Sequence, residues 1–155
     1  MGGVRQRRAF VILPDTNVLV YSFKRESPRH AEYRSWLEGV LNGSEDLALA
    51  DQAVLGFVRI VTHPRIFKDP APAGEAMAFA TMLMEAAGTS WLPPTKSTWA
   101  AFAEITSKDR QIRANLVPDA WLAAMAVSHG CRIATVDRGF GRFDRLEWFD
   151  PVGPT

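Results

Sequence analysis

With one cysteine, Cys131, in 155 residues, the chain can form no internal disulfide, as expected of a reducing compartment. Cys131 stands at the head of an apolar run, which suits a buried strand better than a nucleophile. No apolar stretch approaches the roughly 20 residues needed to cross a bilayer. The basic segment Met1 to Arg8 leads into an apolar run that ends at once in Pro14-Asp15, unlike a secretory signal. These absences lead us to expect a cytoplasmic protein without membrane contact. Neither a GxxxxGK[ST] phosphate loop nor a GxGxxG fingerprint occurs, which removes nucleoside triphosphatases and dinucleotide oxidoreductases. Three histidines and one cysteine show no ligand spacing, so zinc is not favoured. Charge of one sign is also lacking: 18 basic and 17 acidic residues nearly cancel, and a net charge of +1 neither demands nor excludes a nucleic-acid partner.

What is present describes one globular domain, 1–155, with 47% hydrophobic residues and enough chain for a substantial core. Residues 1–9 form a basic arm carrying Arg5, Arg7 and Arg8, read either as solvated chain or as a contact to a polyanion. Phe10 to Leu13 reads as a buried strand broken by Pro14, followed by Asp15 and a helical run from Val18 to Phe23. Pro28 suits the first turn of a second helix, which Asn42-Gly43 stops. Leu47 to Leu49 is a second strand, and Asp51 caps a third helix through Val61. On that helix Gln52, Gly56, Arg59 and His63 share one polar stripe. A helix from Met77 to Met84, a strand at Trp91-Leu92 and a helix opened by Thr95 follow. After the polar connection Ser107 to Arg113 comes a helix from Ala120 to His129, stopped by Gly130. Cys131 to Val136 and Leu146 to Phe149 complete the strands. Strands alternating with helices predict a three-layer α/β/α sandwich with a mainly parallel sheet of about five short strands.

Asp15 and Asp137 each follow a strand, where ligands gather in open parallel sheets. Asp15 can equally serve as a helix cap. Asp119 shares a helix face with Leu122 and Ala123, and an inward acid is costly unless it is paired. If the two strands are neighbours, three carboxylates converge and repel one another, a conflict that a divalent cation removes. Mg²⁺ or Mn²⁺ takes oxygen ligands, often only one or two carboxylates plus water and substrate phosphate. Such a site points to phosphodiester hydrolysis with a metal-activated water.

Four blocks carry a resemblance. They are Pro14-Asp15-Thr16-Asn17-Val18-Leu19, Gly56 to Phe67, Asn115 to Ala124, and Thr135-Val136-Asp137-Arg138-Gly139-Phe140. In this order and spacing the chain resembles the PIN-domain ribonucleases, above all the VapC toxins of VapBC toxin–antitoxin modules, especially those of mycobacteria. The resemblance implies a Mg²⁺- or Mn²⁺-dependent endoribonuclease acting on structured RNA such as transfer or ribosomal RNA, a cognate VapB-type antitoxin, and a homodimer. It makes Asp15, Asp119 and Asp137 the catalytic, metal-binding acids and Thr16, Asn17 and Thr135 their polar support. The family usually carries a glutamate where this chain has Gly56. Water or Asn115 is expected to fill that gap, Asp51 being a weaker substitute. The loss also raises an alternative, a catalytically weakened RNA- or antitoxin-binding module, and a small metal-dependent phosphatase is a third reading. Arg59, Arg110 and Arg113 are candidate RNA contacts, since guanidinium forks match phosphate oxygens.

Overall fold

A computed structural model describes residues 10–153, so the basic arm at 1–9 lies outside the described residues. The elements run β1 (Val11–Pro14), α1 (Thr16–Phe23), α2 (His30–Leu41), β2 (Asp46–Leu49), α3 (Asp51–Val61), α4 (Ala73–Glu85), β3 (Thr89–Trp91), α5 (Lys96–Lys108), α6 (Leu116–His129), β4 (Arg132–Ala134), a 3-10 turn (Arg138–Arg142) and β5 (Trp148–Phe149). All four pairings are parallel, in the order β3-β2-β1-β4-β5. The expected three-layer architecture is present.

Strand alternation divides the core. Ile12, Leu47, Leu49 and Ala134 face α1 to α4, whereas Leu13, Ala48 and Ile133 face α6 and the 3-10 turn. Short strands buried on both sides must be apolar throughout, as β1 and β2 nearly are. On the first face Phe57, 1% exposed, packs edge-to-face with Phe23 and at a tilt with Phe79, the ring centroids 5.3 Å apart in each pair. Truncating such a ring to alanine costs about 3–5 kcal/mol.

Several boundaries differ from the sequence reading, each for a local reason. Pro14 ends β1 from within, paired with Ala134. Its missing N–H does not break the contact to β4, because Asp15 N–H donates to Ala134 O at 2.9 Å. Helix α2 begins at His30, not Pro28, because Arg29 takes a left-handed backbone at φ 55°. The cap of α3 is Ala50, and Asp51 is already helical. Helix α6 begins at Leu116, four residues before the expected Ala120, so Pro118 and Asp119 lie in its first turn, where a proline costs no helical bond. Gly130 stops α6 as expected, with φ 69°.

Candidate active site

The sheet order places β1 and β4 side by side, with β2 and β3 on one side and β5 on the other. The chain therefore reverses its direction of winding at the carboxyl ends of β1 and β4, the crevice where open α/β sheets bind ligands. Asp15 follows β1 and Asp137 lies three residues beyond β4.

Asp15 does two jobs. As the cap of α1 its Oδ1 accepts the Thr16 N–H at 2.8 Å. Its Oδ2 accepts the Thr135 hydroxyl at 2.9 Å and the Asn17 amide at 3.3 Å. Thr135 is fully buried, and its hydroxyl oxygen also accepts the Asp137 N–H at 3.1 Å. Asn17 closes the circuit, its Oδ1 accepting the Val136 N–H at 3.4 Å. The three residues after β4 are thereby tied to the first turn of α1. Asp137 caps the 3-10 turn through Gly139 N–H at 2.8 Å.

A cleft of about 400 Å³ opens beside this network, walled by Asp15, Thr16, Gln52, Gly56, Arg59 and Asp119 together with apolar neighbours. Burial raises the Asp15 carboxyl above its ordinary value; hydrogen bonds from Thr135 and the Thr16 N–H pull it down, and the charge of Asp137 adds to the rise. Burial also pushes Asp119 up to about 6, with further contributions from Asp15 and Asp137. Asp137 does not line this cleft and is coupled to the other two acids through its charge. Among the described residues no side-chain hydrogen bond to Asp119 offsets this repulsion, which leaves it only the favourable end of the α6 dipole.

Among the described residues, no three His, Cys, Asp or Glu side chains stand together as a ready ligand set. Two carboxylates on one cleft wall, oxygen donors only, nevertheless fit a hard cation that keeps most of its water. Gln52 lines the same wall, and among the described residues its Oε1 is buried without a donor.

The remaining sequence candidates divide. Thr16 lines the cleft, and its hydroxyl donates to Ala53 O at 2.8 Å, joining α1 to α3. Arg59 lines the cleft from an exposed position on α3. Asn115 does not line it: with α6 starting at Leu116, Asn115 is the exposed helix cap, a full turn before Asp119, and its side chain makes no capping bond. Asp51 is exposed outside the cleft and accepts the Gln52 N–H. Arg110 and Arg113 are exposed and also lie outside the cleft wall. Their segment is tied instead to the 3-10 turn, Arg142 donating to Asp109 at 3.0 Å and to Gln111 at 2.8 Å.

Gly56 has a packing reason of its own. A Cβ there would lie 2.7 Å from Thr16 Oγ1 and 3.3 Å from Thr16 Cγ2, so α1 meets α3 at this glycine. Gln52 escaped the sequence reading as a site residue, although the polar stripe it shares with Gly56 and Arg59 is the signal that finds it.

The sequence matches the PIN domain family over residues 12–146. A VapC ribonuclease of Mycobacterium bovis, Mb2897, is 38% identical over 138 residues, covering 89% of this chain and 93% of that protein. Ribonuclease VapC37 of Mycobacterium tuberculosis is 34% identical over 137 residues, covering 88% and 94%. Among solved structures, VapBC2 of Rickettsia felis, bound to a DNA fragment from their promoter, contains a chain that matches with TM-score 0.67 at 14% identity, covering 90% of this chain and 98% of that one. VapBC-1 of nontypeable Haemophilus influenzae gives TM-score 0.65 at 17% identity, covering 93% and 100%. At these identities the structural likeness bears on the fold alone.

Proposed function

The chain belongs to the PIN-domain family, and from that premise we propose that it is the ribonuclease toxin of a type II toxin–antitoxin pair. In this reading it is an endonuclease that hydrolyses phosphodiester bonds of structured RNA, transfer or ribosomal, with Mg²⁺ or Mn²⁺. The observation that carries the reading is the shared cleft of Asp15 and Asp119, with Asp137 coupled to both and Arg59 on the same wall.

Asp15 and Asp119 would hold the cation, with Asp137 adding negative potential at the strand end. When bound, the cation supplies positive charge against the reacting phosphate and eases deprotonation of water. The chain's own residues do the positioning. Thr135 and Asn17 fix the Oδ2 side of Asp15, and the Thr16 N–H fixes Oδ1, so the carboxylate cannot swing. Arg59 offers a guanidinium fork to a phosphate entering beside α3. Family membership also supports a VapB-type antitoxin as inhibitory partner. A homodimer is part of the same proposal, and exposed Leu55, Met77 and Trp99 supply apolar surface for assembly.

The test is direct. Purified protein should cut RNA with Mg²⁺ or Mn²⁺, stop in EDTA, and lose cleavage as Asp15→Asn. An Asp15→Asn variant cutting at the wild-type rate would exclude this site. Gly56 supports a second reading, a module that binds RNA or antitoxin with little turnover; retained RNA binding without cleavage at any divalent concentration would favour it. Among the described residues no helix is long and apolar enough to cross a membrane.

A further inference from the structure

A cavity of about 180 Å³ is walled by α5, the connection that follows it, α6 and the chain around the end of the 3-10 turn. Its floor is apolar: Ala101 and Ile105 from α5, Ile112 from the connection, Val127 from α6, and Phe143. It shares no residue with the cleft of Asp15 and Asp119. A dry apolar cavity of about 150 Å³ holds one benzene ring, so this space suits a single aromatic ring. The rim carries charge, and its hydrogen bonds show which sign is spent. Glu104 accepts Lys108 at 3.0 Å on one oxygen and Arg145 at 3.3 Å on the other. Asp109 accepts the Gln111 N–H at 2.9 Å on one oxygen and Arg142 at 3.0 Å on the other. The Lys108 hydrogen bond holds the Glu104 carboxyl below its ordinary value, and the Gln111 N–H does the same for Asp109. The donors are not exhausted. Among the described residues Arg142 donates to Asp109 and Gln111, and Arg145 to Glu104 alone, fewer bonds than a guanidinium can make. Both arginines line the cavity and stay open to solvent, their side chains 28% and 66% exposed. Arg145 also takes a left-handed backbone at φ 67°, which non-glycine residues seldom adopt and which recurs at ligand clamps.

We propose that this cavity is a binding site for a small aromatic carboxylate, its ring on the apolar floor and its carboxylate on the unspent N–H groups of Arg142 and Arg145. Guanidinium forks match carboxylate oxygens. A cationic ligand fits less well, because neither Glu104 nor Asp109 has an oxygen without a donor. Of the three rim acids only Asp144 has no partner among the described residues, and its charge opposes the anion. The proposal stands apart from the metal reading, since the two sites have no residue in common.

The experiment titrates benzoate into the full chain by two-dimensional amide NMR, in EDTA so that no cation recruits the carboxylate. Benzoate should bind with a dissociation constant of about 1 mM or tighter, within reach of a ligand this small. Benzylamine, a similar ring with the opposite charge, should bind at least about 10-fold more weakly. Ala101→Phe fills the floor and should abolish benzoate binding. Far-ultraviolet circular dichroism identifies a variant that fails to fold, and Ala101→Leu then takes its place. Asp144→Asn removes the opposing charge and should tighten benzoate about twofold to fivefold. No benzoate binding by wild type overturns the site, and so does undiminished binding to a folded Ala101→Phe or Ala101→Leu chain. Benzylamine binding as tightly as benzoate, or weaker benzoate binding by Asp144→Asn, overturns the assignment of an anionic ligand. None of these outcomes depends on RNA cleavage.

Discussion

Replacing Asp119 with asparagine should make the metal-free protein more stable and the enzyme inactive. The raised proton affinity of Asp119 in the folded chain sets the sign. Its carboxyl titrates at about 6 in the fold against a reference of 3.8, so the folded state holds the proton more tightly than the unfolded one. Stability from this group is then greatest below about pH 4, falls as pH rises through the interval to about 6, and stays reduced above it. The full interval corresponds to about 3 kcal/mol at 1.36 kcal/mol per pH unit. Solvent screening of a part-exposed carboxylate brings that down to about 1–2 kcal/mol. An asparagine side chain keeps the shape without the charge, so Asp119→Asn should gain that amount at pH 7.5 in EDTA and lose about two thirds of the gain by pH 4.5. For a domain of this size the gain is a rise in melting temperature of roughly 2–8 °C. Urea titrations of both proteins at half-unit pH intervals measure the difference directly. Adding Mg²⁺ should reverse the order, because the cation stabilises only the chain that holds it. RNA cleavage by the variant should fall at least 100-fold, about 2.7 kcal/mol of barrier. A pH-independent difference between pH 4.5 and 7.5, or an asparagine variant less stable in EDTA at neutral pH, would refute the reasoning.

Thr135→Val keeps the buried shape but deletes the donor to Asp15 and the acceptor for Asp137 N–H. It should cost about 1–3 kcal/mol in urea denaturation and lower RNA cleavage about 10-fold or more. Gly56→Ala drives a Cβ to 2.7 Å from Thr16 Oγ1, and should destabilise by about 1–2 kcal/mol despite alanine's better helix propensity. The penalty should largely vanish in a Thr16→Ala background, so a double-mutant cycle with no coupling would refute the contact. Tyr33→Phe deletes the hydroxyl that donates to Asp150 at 2.8 Å and ties the end of the described chain to α2. Loss of this bond to a carboxylate should lower stability by about 1–2 kcal/mol, read as a melting temperature about 2–8 °C lower, with RNA cleavage unchanged.

The sequence made the site's outline legible because its strongest signals are local. A four-residue apolar strand ending at Asp15 and a glycine that must stop α6 need no knowledge of distant partners. The opening of α5 at Thr95 is equally local, and the structure adds a reciprocal capping box with Thr98. Asp119 was visible as an inward acid because Leu122 and Ala123 follow at helical spacing. The start of its helix was not, because Pro118 reads equally as a boundary and as a first-turn residue. That one-turn difference moved Asn115 from a site residue to an exposed cap.

Long-range contacts account for what stayed hidden. The missing acid at Gly56 could be read from the chain, but not that Thr16 already crowds the space where its Cβ would stand. A glutamate restored at Gly56 must therefore displace a hydroxyl held by Ala53 O, so regaining the acid alone is not a simple gain of metal affinity. The amide of Gln52 is a sharper case, since its orientation depends on a carbonyl 66 residues away. In sequence it was one member of a polar stripe, whereas in the fold its amide joins α3 to the turn that carries Asp119. Gly56 and Gln52 lie one turn apart on the same helix and line the same cleft, so a side chain added at Gly56 is judged against the Thr16 contact and the Gln52–Pro118 bond together.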